Sequence, residues 1–176
     1  METITDAISL RPVNLRDKKM LFEWRNTPFL IKLGSSGKIV TWEEHCRWFN
    51  NIFEKKNTIL FIIKMDATPV GQVRFDPWAE CTYLVSIYLL EEYTGKGIGA
   101  VALQKGIELM TQEKTDKKFI AFIKVGNRAS QAVFSKTGFI EYKDFENIPQ
   151  GHIAMIFNRA KVSCLESPKD ESNGKK

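Results

Sequence analysis

Long apolar runs are absent from this 176-residue sequence. No stretch comes near the ~20 apolar residues that a membrane-spanning helix needs, so no membrane partner is expected. Cysteine and histidine are scarce, at three and two residues. Cys46, Cys81 and Cys164 stand far apart, no C-x-x-C pair exists, and His45 and His152 are also remote from each other. That spacing argues against a structural zinc site, and no metal is expected. An odd set of unpaired thiols suits a reducing compartment, which points to the cytoplasm. The opening METITDAISLRP is acidic and mixed and does not read as a signal peptide. A basic stripe interleaved with aromatics is missing too. The net charge of +5 is spread diffusely; it attracts anions in general and gives no expectation of nucleic-acid binding. There is no internal repeat.

What is present is enough apolar residues for one sizeable core, 43% of the chain, in segments of clear period. Residues 1–162 read as one domain and the polar stretch 163–176 as a disordered tail. Residues 8–13 alternate as a short strand that Pro12 limits to an edge or an end. Asn14 caps a helix carrying Leu15, Met20, Leu21 and Trp24, which ends near Asn26, before Pro28. After a loop from Gly34 to Gly37, Thr41 and Glu44 form a capping box. It opens a second helix with Trp42, Cys46, Phe49 and Phe53 on one stripe. Strands follow at 58–65, 70–75 and 81–90. Asp66-Ala67-Thr68-Pro69 turns between the first two, and Asp76-Pro77 breaks the second. The third is mostly apolar, so both of its faces should be covered. A helix over 98–113, a strand over 119–125 and a short helix over 129–137 stopped by Gly138 come next. An antiparallel pair, 139–145 with 152–158, ends the fold. The order β-α-α-β-β-β-α-β-α-β-β predicts an α/β protein with a mixed sheet and helices on both faces.

The segment that carries chemistry runs V-S-I-Y-L-L-E-E-Y-T-G-K-G-I-G from Val85 to Gly99. A strand enters a glycine-rich turn that opens a helix. Gly95, Gly97 and Gly99 leave no Cβ between the backbone and an incoming group. The first helical N–H groups have no partner within the helix and lie at the positive end of its dipole. A pyrophosphate fits there. A nucleotide-triphosphate loop would need Ser or Thr directly after Lys96, where Gly97 stands. A dinucleotide-binding loop would follow the first strand rather than the fourth. A helix start that merely uses glycine remains an equal reading of this loop alone.

Thr94-Gly-Lys-Gly-Ile-Gly99, preceded by Glu92-Tyr93, resembles the Q/R-x-x-G-x-G/A acyl-CoA signature of the GNAT (GCN5-related N-acetyltransferase) family. Asn127-Arg-Ala-Ser-Gln-Ala-Val-Phe-Ser-Lys136-Thr-Gly138-Phe139 resembles its second signature. The resemblance spans roughly residues 7 to 160. It implies a single-domain GNAT fold with a six- or seven-stranded sheet and a splay between strands four and five, often aided by a bulge in strand four. It implies acetyl-CoA as co-substrate. The pantetheine arm would bond backbone groups around Ile87 and Leu89, and the pyrophosphate would take N–H groups from Thr94, Gly95, Lys96, Gly97, Ile98 and Gly99. Asn127 would bond the arm, and Phe134 would pack beside it. Lys136 would reach a phosphate or stand in solvent. Two departures stand out: Thr94 replaces Gln or Arg, and Phe134 replaces the tyrosine that protonates the leaving thiolate in many members.

Direct transfer needs an unprotonated amine, with a strand-four N–H near Leu89 holding the carbonyl oxygen. Counting back from the loop, Tyr83 takes the place of a glutamate base and would serve as a link in a water chain. Asp76 and Glu80 are the nearby carboxylate candidates. The set W-R-N, E-E-H, W-F and G-Q-V-R-F-D resembles a bacterial subgroup that acetylates the 4-amino group of UDP-linked 4-amino-4,6-dideoxy sugars for pseudaminic-acid synthesis and flagellar modification. Arg25, His45 and Arg74 would then bond a diphosphate or uracil, and Trp48 would stack on a base or sugar face. Each of these four also has a plain structural reading. The expected partner is a small-molecule acceptor, a UDP-amino-sugar, and the expected state a monomer or homodimer. Another amine, on a protein N-terminus, an aminoglycoside or a polyamine, stays open, as does a non-catalytic acyl-CoA-binding module.

Overall fold

A computed structural model describes residues 3–34, 37–54, 58–112, 116–145 and 148–158. The expected tail at 163–176, Cys164, the middle of the Gly34–Gly37 loop and the last position of the helix expected to reach 113 lie outside them. Among the described residues, seven strands form one sheet in the order β1-β2-β3-β4-β5-β7-β6. They are β1 (Ile8–Pro12), β2 (Ile59–Met65), β3 (Thr68–Ala79), β4 (Thr82–Leu89), β5 (Lys118–Lys124), β6 (Ile140–Glu141) and β7 (His152–Asn158). The helices are α1 (Ile4–Ala7), α2 (Lys18–Arg25), α3 (Pro28–Leu33), α4 (Trp42–Glu54), α5 (Ile98–Met110) and α6 (Arg128–Lys136). All neighbouring strands are antiparallel except β4 and β5.

Period-two alternation divides the core. One face sends Val73, Phe75, Val85, Phe119 and Ala121 against Ile98, Leu103 and Ile107 of α5 and Phe134 of α6. The other sends Leu60 and Ile62 against Leu21 of α2 and Phe49 and Ile52 of α4. Helices therefore cover both faces, as the element order predicts.

The feature that positions the site is the parallel seam. β4 and β5 pair only at Thr82↔Lys118, Tyr83↔Phe119 and Leu84↔Ile120. Beyond Leu84 the strands part, which is the expected splay. No bulge in β4 accompanies it: register with β3 is unbroken from Gly71↔Leu89 to Pro77↔Tyr83, and the irregularities fall at Ile63/Lys64 and Pro77/Ala79.

Several local expectations are corrected. β3 does not break at Asp76-Pro77 but continues to Ala79. Past Phe75 it has lost its β2 neighbour, so it is an edge there and tolerates a residue without an N–H. β4 is not covered on both faces; only Val85 is buried in it, because its far half lines an open cleft. The buried stripe of α4 is His45, Phe49 and Ile52, while Trp42 and Phe53 are exposed. The expected helix behind Asn14 begins as a 3-10 turn at Leu15–Asp17, and the Asn14 side chain accepts from Arg16 N–H. That helix ends at Arg25 with Asn26 as its C-cap, before Pro28 as expected, but Pro28 also opens an unexpected helix, α3, capped by the Thr27 hydroxyl, which accepts from Leu30 N–H.

Candidate active site

The parted strands, α6 and the turn before α5 enclose a cleft of about 510 Å³. Its walls include Ile87, Leu89, Ile123, Asn127, Val133 and Phe134. Leu90 N–H donates to the Val70 carbonyl of β3. Alternation along an antiparallel strand then turns the peptide groups of Val85, Ile87 and Leu89 the other way, into the cleft. At one end, Gly95 and Gly97 adopt φ of 73° and 81°, a region that disfavours any side chain. A Cβ at either would meet nothing within 4 Å. The N–H groups of Gly95, Lys96 and Gly97 have no backbone acceptor among the described residues, and those of Ile98 and Gly99 begin α5. This is an anion cradle at a helix N-terminus. Thr94 is a correction: its N–H and its hydroxyl both donate to the Glu91 carbonyl, at 3.1 and 2.8 Å. It forms wall but has no backbone donor to spare.

Asn127 lines the cleft and caps α6, its Oδ1 accepting from Ser130 N–H at 3.0 Å. Phe134 lines the cleft, is 2% exposed, and packs edge-on against Phe139 at 4.8 Å. Lys96 is exposed, with its ammonium 5.7 Å over the Tyr93 ring. Lys136 is exposed on the last turn of α6 and outside the cleft.

On the opposite face of the sheet lies a second pocket, of about 560 Å³. It gathers all four residues expected to bind the acceptor: Arg25, His45, Trp48 and Arg74. It shares Arg25, Gly34, Ser86 and Tyr88 with the first cleft, so the two chambers meet through the seam. Arg74 is set by Asp76, whose carboxylate accepts from its Nε at 2.7 Å, and lies 5.6 Å over the Trp48 ring. Arg25 does not pair with Glu44; it donates to the Leu30 carbonyl at 3.4 Å. Glu44 instead accepts from Thr41 N–H and the Thr41 hydroxyl as the expected capping box.

His45 is a correction to the acceptor set. It is 2% exposed among Phe22, Trp48 and Phe49, and its Nε2–H donates to the Lys18 carbonyl at 2.7 Å. It forms the pocket floor rather than a free ligand. Burial pushes its pKa down, only partly opposed by the Lys18 carbonyl. A proton taken up by the unfolded chain is therefore refused by the fold. Stability from this group is complete above the ordinary value of 6.5 and is lost as the pH falls below it. The melting temperature is expected to fall as the pH drops below 6.5, and His45→Gln to flatten that slope. An unchanged slope in the variant would locate the effect elsewhere.

The three catalytic candidates of the sequence line neither chamber. Tyr83 lies in the closed half of β4, opposite Phe119, with its ring 6.2 Å from that ring on the α5 face. Asp76 is committed to Arg74 and to the Thr58 hydroxyl. Glu80 is exposed at the β3–β4 turn. Counting back from the glycine loop overshoots the point where the strands part. The side chains placed at the junction are instead Ser86 and Tyr88, with Gln72 and Lys38 farther along the second pocket. Burial raises the Tyr88 pKa, against the opposing charges of Arg74 and Arg25, so the hydroxyl stays protonated. Alternation could have found these residues: Gln72 and Arg74 in β3 and Ser86 and Tyr88 in β4 are the polar steps of two apolar strands.

A sheet parted at a parallel seam, with an anion cradle at one end and a second chamber behind it, has room for a phosphate-bearing molecule and a second one that meets it at the seam. The acetyltransferase (GNAT) domain family matches residues 8–140, and the chain belongs to that family. Acetyltransferase PseH of Campylobacter jejuni is 25% identical over 93 residues, 53% of this chain and 57% of that protein. The chain thus spans little more than half the length of this curated relative. Aminoglycoside acetyltransferase AAC(6')-Ib, solved with coenzyme A and kanamycin, superposes with a TM-score of 0.77 over 91% of this chain and 99% of that one, at 16% identity. Spermidine N-acetyltransferase from Vibrio cholerae, solved with CoA and spermine, gives 0.72 over 89% and 98%, at 14% identity. No cluster of His, Cys, Asp or Glu that could hold a metal occurs among the described residues.

Proposed function

We propose that this protein transfers an acetyl group from acetyl-CoA to the amine of an anionic sugar, a UDP-linked amino-deoxy sugar being the acceptor class. One observation carries the choice of acceptor: Arg25, Lys38 and Arg74 line its chamber, where Glu44 is the one lining carboxylate and Asp76 pairs with Arg74 from outside the lining. Such a chamber attracts a diphosphate. It also disfavours an ammonium by like-charge repulsion, so an amine arrives in the unprotonated form that attack requires. A polycationic acceptor would meet the same repulsion. The partial likeness to PseH supports the same class.

In this reading the donor arm lies along Ile87 and Leu89, between Phe134 and the amide of Asn127. Its diphosphate takes the N–H groups of Gly95, Lys96, Gly97, Ile98 and Gly99. Leu89 N–H holds the thioester oxygen. An amide C–N bond forms and the C–S bond breaks; the amine loses a proton and the sulfur gains one. Phe134 cannot move that proton. Tyr88, at the meeting of both chambers, gives its proton to the sulfur while receiving the one the amine loses, and so never carries charge.

The test is mass spectrometry of UDP-4-amino-4,6-dideoxy sugars, kanamycin and spermine, each incubated with acetyl-CoA. Gain of one acetyl group on a UDP-sugar is expected. Gain on kanamycin or spermine alone would sink the sugar reading. Arg74→Ala should raise the acceptor KM roughly tenfold or more, as loss of a charged hydrogen bond does, with the acetyl-CoA KM nearly unchanged. An unaltered acceptor KM would remove Arg74 from the site.

A further inference from the structure

Gln72 is 5% exposed, and its Oε1 is buried without a hydrogen-bond partner among the described residues. It lines the acceptor chamber. Across the sheet it stands between Ile62 of β2, fully buried, and Tyr88 of β4. Ile62 has no donor to offer its carbonyl. A desolvated acceptor of this kind is costly, and an apolar residue of similar shape would be the more stable choice. Directly opposed residues on one face of an antiparallel pair have Cβ atoms only about 5 Å apart. Gln72 and Tyr88 are such a pair, and both line the chamber.

We propose that Gln72 orients the attacking amine by accepting one of its N–H groups. The proposal rests on the reading that an amine is acetylated in this chamber. A neutral primary amine has two N–H groups and one lone pair. Gln72 Oε1 takes one N–H, the Tyr88 hydroxyl oxygen takes the other, and the lone pair is left facing the thioester through the seam. A secondary amine has one N–H and cannot satisfy both groups. An alcohol, with a single O–H, fails in the same way. The pair thus selects primary amines over their N-methyl analogues and over hydroxyls on the same sugar.

The test is Gln72→Met, close in length and without the carbonyl, with Gln72→Leu as a second variant should the first fail to fold. On whichever amine of the panel above the wild type accepts, kcat/KM should fall about ten- to a hundredfold. The acetyl-CoA KM should hold, and the preference over the N-methyl analogue should collapse. The melting temperature should rise by about 2–4 °C, because an unpaired buried atom has been removed. An unchanged kcat/KM, or a preserved preference for the primary amine, overturns the assignment. So does a fall in melting temperature with both substrates affected, the mark of a structural glutamine. If no amine of the panel is acetylated, the acceptor reading fails, and the melting temperature alone decides for Gln72: a rise upholds an unpaired site group and a fall overturns it.

Discussion

Gly71→Ala is expected to cost about 1–3 kcal/mol or more, as overpacking does, and to raise the KM for acetyl-CoA. An added Cβ would collide with the Tyr88 carbonyl and come within 3.0 Å of the Leu89 Cα. Neither atom belongs to a flexible side chain. The strand must yield, and it yields at Tyr88, which lines both chambers, and at Leu89, which lines the first. For a chain of this size each kcal/mol lowers the melting temperature by about 2–4 °C. Thermal melting and the two Michaelis constants check this. A variant with wild-type stability and wild-type acetyl-CoA KM would mean that β4 does not set the donor site.

Tyr88→Phe has the largest expected effect on turnover. Proton transfer by a placed side chain is worth roughly 10²–10⁴-fold, and a fall in kcat of at least 10² is expected. The ring itself is held edge-on against Trp24, 6.5 Å between centroids, and phenylalanine keeps that contact. Melting temperature and acetyl-CoA affinity should therefore be little changed. Ser86 is the other hydroxyl common to both chambers. A mild effect in Tyr88→Phe with a severe one in Ser86→Ala would transfer the proton relay to Ser86.

Much of the donor side was legible because its residues act locally. Gly95 and Gly97 are required by left-handed backbone, Asn127 by a helix cap, and Gly138, at φ 88°, by a helix stop. These needs are written within a few positions of each residue. The residues expected at the acceptor came from a resemblance; the structure brings Arg25, Trp48 and Arg74 to one chamber while sinking His45 into its floor. The proton carrier proposed above was not legible. Tyr83 and Tyr88 stand on one strand, and only the point at which β5 departs decides which of them lines a chamber. That point depends on pairing between segments more than thirty residues apart. α3 was missed because Pro28 both ends and begins helices, and Thr27 alone decides which. The closed reading of β4 failed for a related reason: apolar residues that line an open cleft look the same in sequence as residues that line a core.

The seam has a last consequence. A sheet ordinarily has two rims; this one has a further pair in its middle, where β4 and β5 leave their peptide groups without a neighbouring strand. A bare rim elsewhere invites a second chain to add to it. This one is sunk between two helical layers, and on the proposed reading the donor's linear arm takes the place of the missing strand. Filling it also completes the sheet. A ligand at a hundred times its Kd adds about 2.7 kcal/mol to the folded state. On the proposed reading, the amount of folded protein follows the supply of its donor.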